Sequence, residues 1–124
     1  MVVTVTAFGF KYGVPPESNL VFDARFLPNP YFELSLKQLC GTDKPVYDYL
    51  FSQNIVQDYW LRLNSFATYV INQSLAEGRF AMNIAVGCTG GRHRSVAIVH
   101  RLAQEKIEHV TFLTRFRDID RDSY

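Results

Sequence analysis

The chain has 124 residues, 48 % of them hydrophobic and 20 % charged, enough for one packed domain and too few for two. Thirteen Lys and Arg against twelve Asp and Glu leave a net charge of +1, which excludes a uniformly basic nucleic-acid binder, so any electropositive site must come from local clustering. The two cysteines, Cys40 and Cys88, make neither a disulfide scaffold nor a zinc grouping, so no metal and no cofactor is expected.

Val3, Val5 and Ala7 alternate with Thr4 and Thr6 and predict a first strand. This start lacks the basic n-region of a signal peptide. No apolar run approaches the roughly 18 residues of a membrane helix. The expectation is a cytoplasmic protein without a membrane partner. A Gly/Pro-punctuated loop follows over Phe8–Pro16, then a second strand over Leu20–Phe26, stopped by Pro28 and Pro30, which cannot donate to a ladder. Residues 31–45 read as loop or a short helical turn. Asp43 is placed to cap a helix that opens near Pro45. Apolar spacing from Val46 to Val70 predicts one or two helices over about 46–76. Phe80–Val86 is a mostly apolar third strand, expected to be central. A helix follows from Val96 to about Lys106, then a short strand over Val110–Leu113. The sign-alternating end, Arg115–Asp122, is expected to be exposed. The fold class is therefore α/β: one three-layer-like domain over 1–124 with a small, mostly parallel sheet of about four strands.

The most informative segment joins the third strand to the following helix: Gly87-Cys88-Thr89-Gly90-Gly91-Arg92-His93-Arg94-Ser95. Strand, glycine-rich turn and helix present backbone N–H groups and a helix N-terminus to an anion. Glycine lets the backbone approach a phosphate closely. Cations at a helix N-terminus are locally unfavourable, so Arg92, His93 and Arg94 make sense there if an anion sits among them. From Gly78 to Gln104 there is no acidic residue, yet Arg79, Arg92, Arg94 and Arg101 fall in that stretch. The segment lacks the GxxxxGK[ST] spacing of a Walker A loop. It does match Cys-x5-Arg, from Cys88 to Arg94, the spacing of cysteine-dependent phosphatases. There a helix N-terminus stabilises the thiolate and the arginine holds phosphate bidentately. A phosphatase also needs a general acid, for which Asp23, Asp43 and Asp58 are the candidates. A second segment, Phe22-Asp23-Ala24-Arg25-Phe26-Leu27-Pro28-Asn29-Pro30, ends a strand where open α/β sheets gather ligands. Arg25 can hold a phosphate while Asp23 and Asn29 bond hydroxyl or amine groups, or Asp23 and Arg25 can pair with each other at the surface.

Four co-linear strings together resemble the C-terminal domain of the RapZ (YvcJ-like) RNase adapter family: Phe8–Pro15, Phe22–Pro30, Gly41–Val46 and Gly87–Ser95. A weaker echo is Phe116-Arg117-Asp118-Ile119, where the family tends to have His-Arg-Asp. The resemblance implies an α/β domain that binds small regulatory RNA, presents it to an endoribonuclease, and senses a phosphorylated amino sugar such as glucosamine-6-phosphate. Carried onto this chain, the pocket uses Asp23, Arg25, Asn29, Cys88, Thr89, Gly90, Gly91, His93 and Arg94; the strand-to-helix turn adds Arg92 and Ser95. The family's N-terminal P-loop domain is not expected within these residues, so ATP binding is not carried over. The family's common lysine before the histidine is Arg92 here, which keeps the charge and changes the geometry.

The leading expectation is a non-catalytic RNA-binding adapter domain, with Lys11, Arg92, Arg94 and Arg101 meeting RNA phosphates and Tyr12 or Tyr31 stacking on unpaired bases. One alternative is a phosphatase with Cys88 as nucleophile, Arg94 as phosphate clamp and Asp23 as acid. Another is an accessory domain that docks on a separate P-loop partner. Homo-oligomerisation is compatible with each.

Overall fold

The computed structural model describes residues 1–121. Four strands, β1 (Val2–Gly9), β2 (Leu20–Asp23), β3 (Ala81–Cys88) and β4 (Thr111–Phe116), and three α-helices, α1 (Lys44–Phe51), α2 (Asn54–Ala76) and α3 (Arg94–Leu102), follow in the order β1-β2-α1-α2-β3-α3-β4. The sheet runs β2-β3-β1-β4, and every pairing is parallel. The fold is thus α/β, and β3 is interior, as its apolar sequence requires.

The strand pleat sorts residues onto two faces. Val3, Val5 and Ala7 of β1 lie in register with Met82, Ile84 and Val86 of β3. All six are buried in one cluster with Val46 and Leu50 of α1, Val56, Trp60, Leu63, Ala67 and Ile71 of α2, and Val96 to Val99 of α3. Each fully buried Val, Leu or Ile contributes about 1.5–3 kcal/mol relative to exposure, so this face holds the fold together. The opposite face has no helix over it. It receives the connection from β1 to β2: Asn83 N–H donates to Asn19 Oδ1 at 2.8 Å, Arg115 pairs with Glu17 at 3.4 Å, and Phe10 meets Phe8 edge to face at 4.8 Å. The three layers are therefore helices, sheet and a loop.

Several boundaries differ from the sequence expectation for identifiable reasons. The stretch 46–76, expected to hold one or two helices, holds two, because the chain turns at Ser52 and Gln53 before α2 begins. Asp43 does precede α1, but its side chain makes no bond to that helix; its Oδ2 accepts from the Cys40 amide at 2.8 Å instead. β2 stops at Asp23, because the Asp23 carboxylate turns back to accept the Arg25 amide at 2.9 Å, closing a local turn that competes with the ladder. α3 ends at Leu102 rather than near Lys106, and β4 runs on to Phe116, pairing with β1 as far as Ala7.

The expected exposure of the C-terminal end holds at Arg115, Asp120 and Arg121 and fails at Asp118. Asp118 is 0 % exposed; it accepts the Gly9 amide at 2.8 Å and pairs with Arg117 and Arg121. Alternating sign here builds an internal ion-pair cluster on a sheet end. Asp122, part of the same expectation, lies outside the described residues. Among the described residues no helix is long and apolar enough to cross a membrane, and no cluster of His, Cys, Asp and Glu is arranged to hold a metal.

Candidate functional site

The carboxyl ends of β1, β2 and β3 point to one side of the sheet, where open α/β folds place ligands. There the β3–α3 turn descends against the end of β1. A Cβ on Gly91 would lie 2.5 Å from the Gly9 nitrogen and 2.7 Å from the Phe8 carbonyl carbon, and Gly91 has φ +77°. Only glycine meets both demands. On the other flank Gly41 touches the start of α3 so closely that a Cβ would collide with the His93 carbonyl oxygen and the Ala97 nitrogen, and the Gly41 amide donates to Arg92 O at 2.9 Å.

The turn borders a cavity of about 670 Å³, a size in the range of small-molecule sites, about 300–1,000 Å³. Cys88, Thr89, Gly90, Arg92, His93 and Arg94 come from the turn; Lys11, Arg25, Leu27, Asn29, Tyr31 and Phe32 come from the loops after β1 and β2. Among the described residues that line the cavity there is no Asp or Glu. Of the residues expected from sequence, ten meet here, while Gly91 and Ser95 sit directly beside them. Asp23 is at the edge, turned toward Arg25. Arg101 stands apart, two turns further along α3 and roughly 10 Å up its axis at 1.5 Å per residue. Its guanidinium stacks on Trp60 and Phe51 and donates to Tyr47 Oη at 3.1 Å. The wall residues Leu27 and Phe32 were not singled out from sequence, because a lone apolar residue in a loop carries no period.

The three basic residues of the turn do different things. Arg92 donates to the carbonyls of Leu39 (3.1 Å), Ile119 (2.8 Å) and Gln38, so its planar fork ties two other segments, 38–39 and 119, to the turn. A lysine has one nitrogen and cannot span them. His93 is buried, and its Nε2 lies 3.1 Å from Lys37 O. Burial pushes its imidazole below the usual 6.5, opposed by the Lys37 carbonyl and reinforced by the Arg92 charge. Arg94 is 4 % exposed; one terminal nitrogen donates to Arg25 O at 2.6 Å and Leu27 O at 3.1 Å, the other reaches Thr89 Oγ1 at 3.5 Å. Its Nε–H is buried with no partner among the described residues, an unmet donor that natural interiors rarely tolerate. The amides of Gly90, Gly91 and Arg94 likewise donate to no other described residue.

Cys88 is buried beside Ser95: its Sγ lies 3.2 Å from Ser95 Oγ and accepts the Ser95 amide at 3.5 Å. Asp23 and Arg25 form a bidentate pair, with Nε 3.0 Å from Oδ1 and Nη2 2.8 Å from Oδ2. This pair holds the Asp23 carboxyl below its usual range. The Arg25 guanidinium also lies 3.9 Å from the centre of the Phe10 ring. Asn29 Oδ1 accepts the Tyr31 amide at 3.1 Å and caps the single 3₁₀ turn Pro30–Phe32. Tyr59 Oη donates to Asp23 O at 2.9 Å, and burial raises that phenol's pKa.

The family model described as the RapZ C-terminal domain matches residues 1–120. The chain belongs to the RapZ C-terminal domain family. A protein of Clostridium perfringens called a nucleotide-binding protein is 45 % identical to it over 123 residues, covering 97 % of this chain and 41 % of its own length. A nucleotide-binding protein of Nitratidesulfovibrio vulgaris is 50 % identical over 100 residues, 81 % of this chain and 33 % of its own. One of Clostridium botulinum is 49 % identical over 102 residues, 82 % of this chain and 35 % of its own. The chain thus spans about two-fifths or less of the relatives it matches. Within the RapZ C-terminal framework, the shared strings occupy contacting positions: Gly41 against His93, Phe8 against Gly91, and Asp118 on Gly9.

Proposed function

We propose that this RapZ C-terminal domain is a non-catalytic adapter module whose cavity binds a phosphorylated amino sugar, such as glucosamine-6-phosphate, and whose basic surface binds small regulatory RNA. The observation that carries the first half is the buried Nε–H of Arg94, with no partner among the described residues, together with three amides of the β3–α3 turn that donate to no other described residue. A phosphate oxygen set among them meets aligned N–H groups, the positive end of α3 and a fixed guanidinium at once. Asn29 and Arg25 at the rim can meet hydroxyl or amine groups. RNA phosphates would meet Lys11, Arg92 and Arg94 at the cavity, with Arg101 as a separate contact on α3, so affinity should fall steeply with salt. A cytoplasmic setting fits such a partner. An endoribonuclease, a P-loop protein or a second copy of the chain are the proteins it would present its RNA to or dock on.

Calorimetric titration tests the first half. Glucosamine-6-phosphate is expected to bind the wild type at least tenfold more tightly than glucosamine, and Arg94→Ala is expected to abolish the difference. Equal binding of the two ligands contradicts the reading. For RNA, a gel shift that Arg94→Ala leaves unchanged contradicts a shared site.

The Cys-x5-Arg spacing does bring Cys88 and Arg94 to one cavity. A phosphatase also needs a carboxylic acid facing the leaving group. Asp23 is paired with Arg25, Asp43 accepts the Cys40 amide and Asp58 pairs with Arg62, so binding is favoured over turnover. Phosphate release from an aryl phosphate, lost in Cys88→Ser, would reverse that preference.

A further inference from the structure

The wall opposite the turn is aromatic. Tyr31 and Phe32 both line the cavity, their rings meeting edge to face at 5.4 Å and 88°. The Lys37 ammonium lies 4.6 Å from the centre of the Tyr31 ring and covers part of that side chain. Phe32 has no such cover: it is 79 % exposed, and Leu34 beyond it is 90 % exposed. The Asn29 cap holds this turn, so the exposed ring is held at the mouth by a fixed backbone. A large apolar ring presented to water at the mouth of an otherwise cationic cavity is suited to stacking on a flat, partly polar ligand. The cavity, at about 670 Å³, is roomier than a hexose phosphate requires.

We infer that the cavity accepts a nucleoside monophosphate unit, its phosphomonoester against the Gly90–Arg94 turn and its base on the ring of Phe32. This rests on the anion reading of the turn and adds the second half of the ligand. The unit can be a free nucleotide or the phosphorylated end of an RNA strand. A terminal phosphomonoester suits the floor better than an internal phosphodiester, because Cys88, His93 and Arg94 are buried there and a chain continuing on both sides would have to follow the phosphate down. A terminal phosphomonoester carries one substituent, which can leave across Phe32, and about −1.5 to −2 charges to meet the donors.

The test is calorimetry on the full chain with adenosine monophosphate, adenosine and inorganic phosphate, for the wild type and Phe32→Ala, an exposed position where truncation leaves the fold intact. Adenosine monophosphate is expected to bind about tenfold or more tighter than inorganic phosphate, as one stacked base supplies. Phe32→Ala should remove that advantage and leave phosphate binding unchanged. The inference is overturned if the nucleotide binds no more tightly than phosphate, or if Phe32→Ala binds it as the wild type does. Phosphate binding without a nucleotide advantage sinks this inference alone; absence of binding by either probe sinks the anion reading with it. Competition by 5′- and 3′-phosphorylated oligoadenylates, against their hydroxyl-ended forms, then assigns the strand end or, where none competes, the free nucleotide.

Discussion

At the floor of the cavity Arg94 is buried and Arg92 half-buried, both bonded to main-chain carbonyls; at its rim Arg25 is exposed and bonded to a neighbouring carboxylate. The difference is one of depth. Arg92 and Arg94 hold the loops 36–40, 25–27 and 119 in place through fixed forks, so their charge is locked before any ligand arrives. Arg25 is half exposed, as is Asp23, and solvent screening leaves an exposed pair of this kind little hold on the fold. The floor is therefore architecture that carries charge, and the rim is charge that a ligand can rearrange. Substitutions at the floor should unfold or loosen the domain, and substitutions at the rim should change only what binds.

The largest effect is expected at the two glycines that let the turn descend. Gly41→Ala or Gly91→Ala sets a Cβ against backbone atoms of a neighbouring segment, and Gly91 adds the strain of a left-handed residue, about 1–3 kcal/mol. Thermal melts should show losses of about 3 kcal/mol or more, in the class of severe steric lesions. A variant that melts with the wild type would mean that the turn is not held where it is described. Next comes Arg94→Met, which leaves the Arg25 and Leu27 carbonyls short of a donor; urea unfolding should show a loss of about 3 kcal/mol, at about 1–3 kcal/mol for each unmet group.

Asp118→Asn should follow at about 2 kcal/mol, because a buried acceptor shared by the Gly9 amide and two guanidiniums loses its charge. Its measurement separates floor from rim directly: the cluster touches Gly9, which packs on Gly91, so ligand affinity should fall with stability. The smallest stability change is expected for Arg25→Ala, whose exposed pair is screened by solvent, with ligand affinity reduced at least fivefold. A large loss of stability in Arg25→Ala would erase the distinction between floor and rim.

The pH dependence sharpens the same contrast. His93 is buried and held below the usual 6.5, first by burial. The unfolded chain therefore takes up its proton at a higher pH than the folded one. Stability from this group is fully present above about pH 6.5 and is lost as pH falls through and below that value. Urea unfolding of the wild type should weaken from pH 7 to pH 5, and His93→Gln should show a shallower slope. Bound phosphate should also flatten the slope, because an anion beside the ring favours the imidazolium.

Much of this arrangement was legible before any coordinates. Alternation in β1, the apolar run of β3 and the period of α2 each mark a surface buried on one side, and burial is what writes a pattern into sequence. The Gly87–Ser95 string named the turn because its glycines and cations are locally unfavourable without an anion. Asp118 was not legible: a carboxylate between arginines looks the same whether solvated or buried, and its partner amide, Gly9, is more than a hundred positions away. The division of labour between Arg92 and Arg94 was hidden for the same reason, since carbonyl acceptors leave no residue signature. Nor could spacing show that Arg101 lies against Trp60, because residues seven apart on a helix share a face and still stand two turns apart.

The most direct test of the central claim is a ¹⁵N–¹H correlation spectrum of the full chain titrated with inorganic phosphate and then with glucosamine-6-phosphate. The account predicts that the amides of Gly90, Gly91 and Arg94 and the Nε–H of Arg94 shift together, saturably, and ahead of other signals. Saturable binding that moves resonances elsewhere and leaves these four in place would contradict it.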